Sequence, residues 1–169
     1  KCGRFMNQSK LSAERARELL AYDPETGSLT WLVAVSKKIR PGMPAGCTIE
    51  GGYRRVRVDR VLYASHRVAW LMSTGAWPVG LIDHRDGDPS NNRLSNLRDA
   101  SHELNQQNHR QASRRSSTGL LGAFPKRGRF LSSIKVSGVQ KHLGLFDTAE
   151  EAHQAYLTAK RQLHAGCTI

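Results

Sequence analysis

The chain has 169 residues, 38% hydrophobic and 24% charged, a composition that suits folded, soluble domains and excludes wholesale disorder. Lys and Arg total 26 against 14 Asp and Glu, a formal charge of +12, with a pI near 10.3. Such a field favours polyanionic partners, nucleic acid foremost. The longest apolar run, Val68 to Met72, falls far short of the ~18 residues that a membrane-spanning helix needs. Lys1 to Lys10 has no apolar core of the signal-peptide kind, so a cytoplasmic protein without membrane contact is expected. Cys2, Cys47 and Cys167 lie far apart with no CxxC pair. That spacing argues against a structural zinc site and reads as free thiols in a reducing compartment.

In chain order, Ser12 to Tyr22 predicts a short helix: Ser12 can cap it, and Ala16, Leu19 and Leu20 recur at helical spacing. Asp23-Pro24-Glu25-Thr26-Gly27 is turn chemistry that ends it. A strand is expected over 28–35, then a loop rich in Pro and Gly over 37–46. Tyr53 to Val58 alternates, with Val56 and Val58 on one face and Arg55 and Arg57 on the other, the pattern of a half-buried strand with a basic outer face. Val61 to Ala64 pairs with it as a hairpin. Ser65 to Thr74 is helical, with Val68, Leu71 and Met72 inward and Gly75 as its stop.

The polar stretch 80–111 carries the chemistry. Leu81 and Ile82 predict a short strand that delivers Asp83 and His84 at its end. Asp86-Gly87-Asp88-Pro89 makes a turn, Leu97 to Asp99 returns as a second strand, and Ser101 caps a helix that holds Asn105. Asp83 offers an anionic oxygen and Asn105 a neutral carbonyl oxygen. Together they suit one Mg²⁺ or Mn²⁺ completed by water and a substrate phosphate, in a site too oxygen-rich for zinc. Strand alternation turns His84 away from Asp83 and makes it a base beside the metal, since a largely neutral imidazole can take a proton from water. A carboxamide such as that of Asn96 can accept from its other ring nitrogen. Asn92 is expected to organise the loop. His102 and His109 read as exposed helix positions, and His66 as a packing residue behind the site.

The C-terminal third changes character. Between Arg110 and Phe146 there are eight basic residues and no Asp or Glu. Residues 111–118 are Ser/Arg-rich and linker-like. Strands are expected over 121–124, 130–136 and 141–146, with turns at Gly128 and Ser137-Gly138. A helix follows over 148–165, where Thr148 and Glu151 match a capping box.

The residues Ala69-Trp70, Trp77-Pro78-Val79-Gly80, Ile82-Asp83-His84, Asp86-Gly87-Asp88, Asn92-Arg93, Asn96-Leu97-Arg98 and Asn105-Gln106-Gln107-Asn108 together resemble the HNH endonucleases, in their phage and homing branch. The resemblance implies a ββα-metal fold within an α+β chain and one divalent cation. It gives Asp83 and Asn105 as metal ligands, His84 as general base and Asn96 as its orienting residue. His102 stands close enough in sequence to compete as the last ligand; Asn105 matches the family's helix asparagine. The implied reaction is hydrolysis of a DNA phosphodiester to 5′-phosphate and 3′-hydroxyl ends, with Arg93 and Arg98 as candidate phosphate contacts.

The run His142-Leu143-Gly144-Leu145-Phe146-Asp147-Thr148-Ala149-Glu150-Glu151-Ala152, with Gly119–Gly122, Arg129-Phe130, Ile134 and Ala155-Tyr156, resembles the APETALA/ethylene-response-factor (AP2/ERF) DNA-binding domain. That resemblance implies a three-stranded antiparallel sheet in the DNA major groove, backed by a helix. Arg127, Arg129, Lys135 and Lys141 are its candidate DNA contacts, and Arg55 and Arg57 supply a weaker set. Ala123-Phe124-Pro125 departs from the family, which places base-reading arginine on that strand.

The expected organisation is a nuclease domain with its N-terminal region over 1–110, a linker over 111–117 and a DNA-binding domain over 118–169. The expected function is a metal-dependent endonuclease on double-stranded DNA, in the cytoplasm of a bacterial host if phage-encoded. A monomer would nick and a homodimer could cut both strands. The alternatives are a non-catalytic DNA-binding regulator and, from charge alone, an RNA-binding protein.

Overall fold

The computed structural model describes residues 11–113, 115–164 and 167. Cys2 and the residues before Met6 lie outside them. The chain is mixed α and β and divides into two compact units, 1–100 and 101–169. Among the described residues no helix is long and apolar enough to cross a membrane.

The first unit opens with α1 (Ala13–Leu19), capped by the Ser12 hydroxyl, which accepts from the Arg15 amide at 3.1 Å. The helix is shorter than its periodicity predicts, because β1 (Leu20–Asp23) pairs antiparallel with β2 (Ser28–Trp31). The turn between them is strongly specified. The Asp23 carboxylate accepts from the Glu25 amide at 2.9 Å and the Thr26 hydroxyl at 2.7 Å, and Gly27 closes it at φ 75°. A hairpin that buries Leu20 against Trp31 satisfies the same apolar residues as another helical turn would, and here the turn decides.

β3 (Cys47–Thr48), β4 (Arg54–Val58) and β5 (Val61–Ala64) form a three-stranded antiparallel sheet. Asp59 and Arg60, both at positive φ, make the two-residue turn whose twist suits a hairpin. Val56 and Val58 point into the core while Arg57 is exposed and Arg55 half-buried, as the alternation requires.

α2 (Ser65–Thr74) ends at Gly75, in the left-handed region, whose amide donates to the Leu71 carbonyl. Its Val68, Leu71 and Met72 join the main core with Leu11, Ala16, Leu20 and Val56. Each buried Val, Leu or Met among these stabilises by roughly 1.5–3 kcal/mol. Ala69, on the neighbouring stripe, packs with Ile82 and Leu97. These belong to a second hairpin, β6 (Leu81–His84) and β7 (Leu97–Ala100). One helix thus ties the hairpin to the core. Arg67 strengthens the tie by donating to the carbonyls of Gly80 at 3.0 Å and Pro78 at 3.2 Å. Asp99 accepts from the amides of Val79 and Gly80.

The second unit begins with α3 (His102–Gln107), capped by Ser101. β8 (Ala123–Lys126), β9 (Arg129–Val136) and β10 (Val139–Phe146) form an antiparallel sheet in the order β10-β9-β8. Arg127-Gly128 and Ser137-Gly138, all at positive φ, are its turns. Pro125 is tolerated because β8 is an edge strand. α4 (Ala149–Leu163) carries the complete Thr148/Glu151 capping box and packs on all three strands. Its buried Lys160 donates to the His109 carbonyl. By contacts, α3 and the Ser/Arg-rich stretch group with the C-terminal unit, whereas composition marks the change of character at 111–117.

Gly122, at φ 71°, lies so close to α4 that an added Cβ would fall 2.1 Å from the Tyr156 ring. Gly122→Ala is therefore expected to destabilise this unit by about 1–3 kcal/mol, read as a lower Tm with lost hydrogen-exchange protection in β8 and α4.

Candidate active site

Asp83 and His84 end β6, each only 5% exposed. Adjacent on the strand, they have separate neighbours. Asp83 lies opposite Arg98 in the β6–β7 register, and its Oδ2 accepts from Arg98 Nε at 2.8 Å and Nη2 at 2.6 Å. The cross-strand guanidinium keeps the buried carboxylate paired and fixes its orientation.

The loop between the strands is folded on its own polar groups. Asn96 Nδ2 donates to Asp86 Oδ1 at 2.9 Å and to the Asn91 carbonyl at 2.8 Å, while its Oδ1 accepts from the Asp86 amide at 2.9 Å. Asp86 also accepts from the Asp88 amide at 2.9 Å and the Asn91 carboxamide at 2.6 Å. Burial alone would raise the Asp86 pKa. Hydrogen bonds from Asp88, Asn91 and Asn96, with the nearby His84, outweigh it and hold the carboxyl below its ordinary range.

This engagement corrects one expected contact. The carboxamide on the His84 ring is that of Asn92, not Asn96: Asn92 Oδ1 lies 3.0 Å from His84 Nε2, and the residue is 3% exposed. Asn96 spends its hydrogen bonds on the loop. An oxygen facing Nε2 suits a ring proton on that nitrogen. Asn92 is itself held from behind. Its carbonyl accepts from the Tyr22 hydroxyl at 2.7 Å. Gly27 sits so close that a Cβ there would fall 2.5 Å from the Asn92 carbonyl carbon. The next residue, Arg93, donates to the Glu25 carbonyl at 2.7 Å.

Two further rings meet His84. His66, at the start of α2, lies edge-on at 5.2 Å between centroids and 85° between planes. Tyr53 lies 6.0 Å from His84 and 5.8 Å from His66. Gly52 passes close to Pro89, 2.9 Å from its virtual Cβ, which brings the Tyr53 segment to the loop. No spacing rule in the sequence links Tyr53 or His66 to His84; the packing of Ala69 in α2 on Ile82 brings His66 there, and the approach of Gly52 to Pro89 brings Tyr53.

The remaining candidates divide by place. Asn105 is half-buried on α3, its amide donating to the Ser101 carbonyl at 3.0 Å. His102 is exposed, as expected, beside Gln106. Among the described residues, no three or more His, Cys, Asp or Glu group as they would around a metal. Arg57 and Arg93 are exposed. In the C-terminal sheet, Ile134, Ser132 and Ala123 face α4. The register sets Lys126 beside Arg129, Gln140 beside Lys135 and His142 beside Ser133 on the opposite, outer face. Arg129 and Lys135 therefore share that face, and Arg129 pairs with Asp147 at 2.8 Å. Lys141 pairs in register with Ile134 and so belongs to the other face, and Arg127 is in a turn. The strand register thus divides the four candidate DNA contacts and sets Lys126 and His142 on the face of Arg129 and Lys135.

Residues 63–107 match the family model described as HNH endonuclease. The matched segment runs from β5 to α3 and contains Asp83, His84, Asn96 and Asn105. The match points to nuclease activity, a hydrolase acting on DNA. Searches of curated proteins and of solved structures find no match.

Burial, then the neighbouring charges of His84 and Arg67, push the His66 pKa from its ordinary value of 6.5 down to about 3. The unfolded chain binds this proton more readily, so acid favours unfolding. This residue's contribution is complete above about pH 6.5 and is lost as pH falls towards 3. Urea midpoints measured at pH 7, 5.5 and 4.5 are expected to fall, and to fall less in His66→Phe.

Proposed function

We propose that the chain is a divalent-metal-dependent DNA endonuclease of the phage or homing kind, with His84 as general base. The observation that carries this reading is His84 buried against the Asn92 oxygen, one residue from Asp83, inside the segment that matches the HNH family. His84 takes a proton from water, the water oxygen attacks phosphorus, and the 3′-oxygen leaves. Asn92 holds the ring tautomer and supports the imidazolium that forms. The oxygen donors Asp83 and Asn105 suit Mg²⁺ or Mn²⁺, hard cations that keep several waters. When bound, such an ion polarises the phosphate and stabilises the leaving oxygen. Arg98 holds Asp83 in place across the hairpin.

In this reading the nuclease domain spans 1–110, a linker 111–117 and an AP2/ERF-type DNA-binding domain 118–169. The outer face with Arg129, Lys135, Lys126 and His142 meets duplex DNA. Arg127 and Lys141 contact phosphates at its margins, as do Arg55, Arg57 and Arg93 in the first unit. Tethering raises the occupancy of each contact by the other. The protein acts in the cytoplasm of a bacterial host, nicking as a monomer or cutting both strands as a homodimer. The rival is a non-catalytic DNA-binding regulator, favoured by the Arg98 guanidinium already seated on Asp83.

Supercoiled plasmid incubated with Mg²⁺, Mn²⁺ or EDTA separates the two. Nicking that needs the metal and falls at least ~100-fold in His84→Ala supports the endonuclease. No cleavage of duplexes that the protein demonstrably binds supports the regulator. Asn92→Ala is expected to lower kcat about 10-fold and to lower Tm, because it removes the partner of the buried His84 Nε2. Asn96→Ala is expected to lower Tm as well, because it leaves buried groups of the loop unpaired at about 1–3 kcal/mol.

A further inference from the structure

We infer that Phe124, Leu131 and Leu145 form an apolar stripe that contacts thymine methyl groups in the major groove of duplex DNA, and so selects thymine-bearing sites. The inference rests on the reading above that this sheet face meets duplex DNA. The strand register sets Phe124 beside Leu131 and Leu131 beside Leu145. Residues directly paired in an antiparallel sheet share a face. Ala123 and Ser132, one position along, are paired and buried on the α4 side, so the three apolar side chains line up across all three strands on the outer side. Phe124 is 49% exposed and Leu145 40%. These two side chains are not spent on the core of the unit, which Ala123 and Ile134 form with α4.

Charge says what covers the stripe. Lys126, in register with Arg129, flanks it on one side, and Lys135 lies beyond Ser133 on the other. Arg129 is engaged with Asp147, which leaves the two lysines as the flanking cations of this argument, in a chain of formal charge +12. Cations on both sides of an apolar row fit a polyanion that brings an apolar group between its phosphates. In duplex DNA that group is the thymine C5-methyl, which the major groove displays and the minor groove does not, and the major groove is wide enough to admit paired strands. A single strand fits less well. Stacking platforms offer aromatic rings to successive bases, whereas this row holds one ring, Phe124, beside two leucines, which pack on methyl groups but provide no flat face for a base.

The test measures binding of the full chain in EDTA, so that no outcome depends on cleavage. The probes are an alternating dA–dT duplex, the same duplex with deoxyuridine for thymidine, which removes only the C5-methyl, and single-stranded oligo(dT). At roughly fourfold per buried methyl, the parent is expected to bind the thymine duplex about tenfold tighter than the uracil duplex. This comparison needs no variant, so it holds whatever a substitution does to folding. The double variant Phe124→Ser/Leu145→Ser should bring the ratio to within twofold of one by weakening the thymine duplex alone; misfolding would weaken both. Equal affinity of the parent for the two duplexes, or tighter binding of oligo(dT) than of the thymine duplex, would overturn the inference. So would a tenfold ratio that survives in the double variant. Lys126→Ala and Lys135→Ala should weaken both duplexes alike. If they do so while the parent binds the two equally, the face still meets DNA and the methyl contact is wrong. If neither lysine change weakens binding, the DNA-facing reading and the inference fall together.

Discussion

The carboxamide of Asn96 is the constraint on which the site depends. A loop containing Asp86, Asp88, Asn91 and Asn92 between two short strands has many polar groups and little apolar surface to fold around. Asn96 resolves this by using both its donors and its acceptor on the loop: Asp86 at one end, the Asn91 carbonyl at the other. That bridge pulls the loop back over β6 and sets Asn92 against His84. A neutral side chain suits the role better than a charged one, because it must donate to a carboxylate and accept from an amide at once. The residue beside the base and the residue that shapes the loop are thus different asparagines, and the first is in place because of the second.

Around this loop the protein supplies stiffness from several small pieces. The β6–β7 hairpin would be marginal alone. It gains its place from α2 through Ala69, and from Arg67 and Asp99, which engage the Pro78 and Gly80 carbonyls and the Val79 and Gly80 amides. The Arg98–Asp83 pair runs across the same hairpin, so the orientation of the carboxylate depends on strand register. A slip of one residue would turn Asp83, and every other side chain of that strand, to the opposite face.

Much of this was legible in the sequence, and the failures have physical causes. Ser65 to Thr74 and its glycine stop follow from spacing and turn chemistry, and the structure has both. Asp83 and His84 at a strand end follow from Leu81-Ile82 and the Asp86-Gly87-Asp88-Pro89 turn. Residues Leu20 to Tyr22 are strand where the sequence predicts helix, because Leu19 and Leu20 serve a core equally well from either, and the hydrogen bonds of the Asp23 turn decide between them. Asn92 and Asn96 have the same chemistry four residues apart, so composition could not say which one meets the histidine. Tyr53 carries no local signal, and His66, expected behind the site, gives no sign of its ring contact with His84, since both meetings are made by packing between distant segments. Lys135 and Lys141 are both basic strand residues, but strand register, invisible in composition, sends them to different faces.

The family match begins at residue 63, yet Asn92 leans on groups well before it. The Tyr22 hydroxyl holds its carbonyl, the Glu25 carbonyl holds Arg93, and Gly27 is bare so that the backbone of Asn92 can lie against it. The N-terminal hairpin is therefore a buttress of the site as well as part of the core. A fragment cut at the start of the recognisable motif would keep every residue that the motif names and lose the wall behind one that it needs. The recognisable unit of descent and the mechanically sufficient unit have different lengths in this chain. Grafting the motif onto another scaffold would require something there to take the place of Tyr22 and the turn over 23–27.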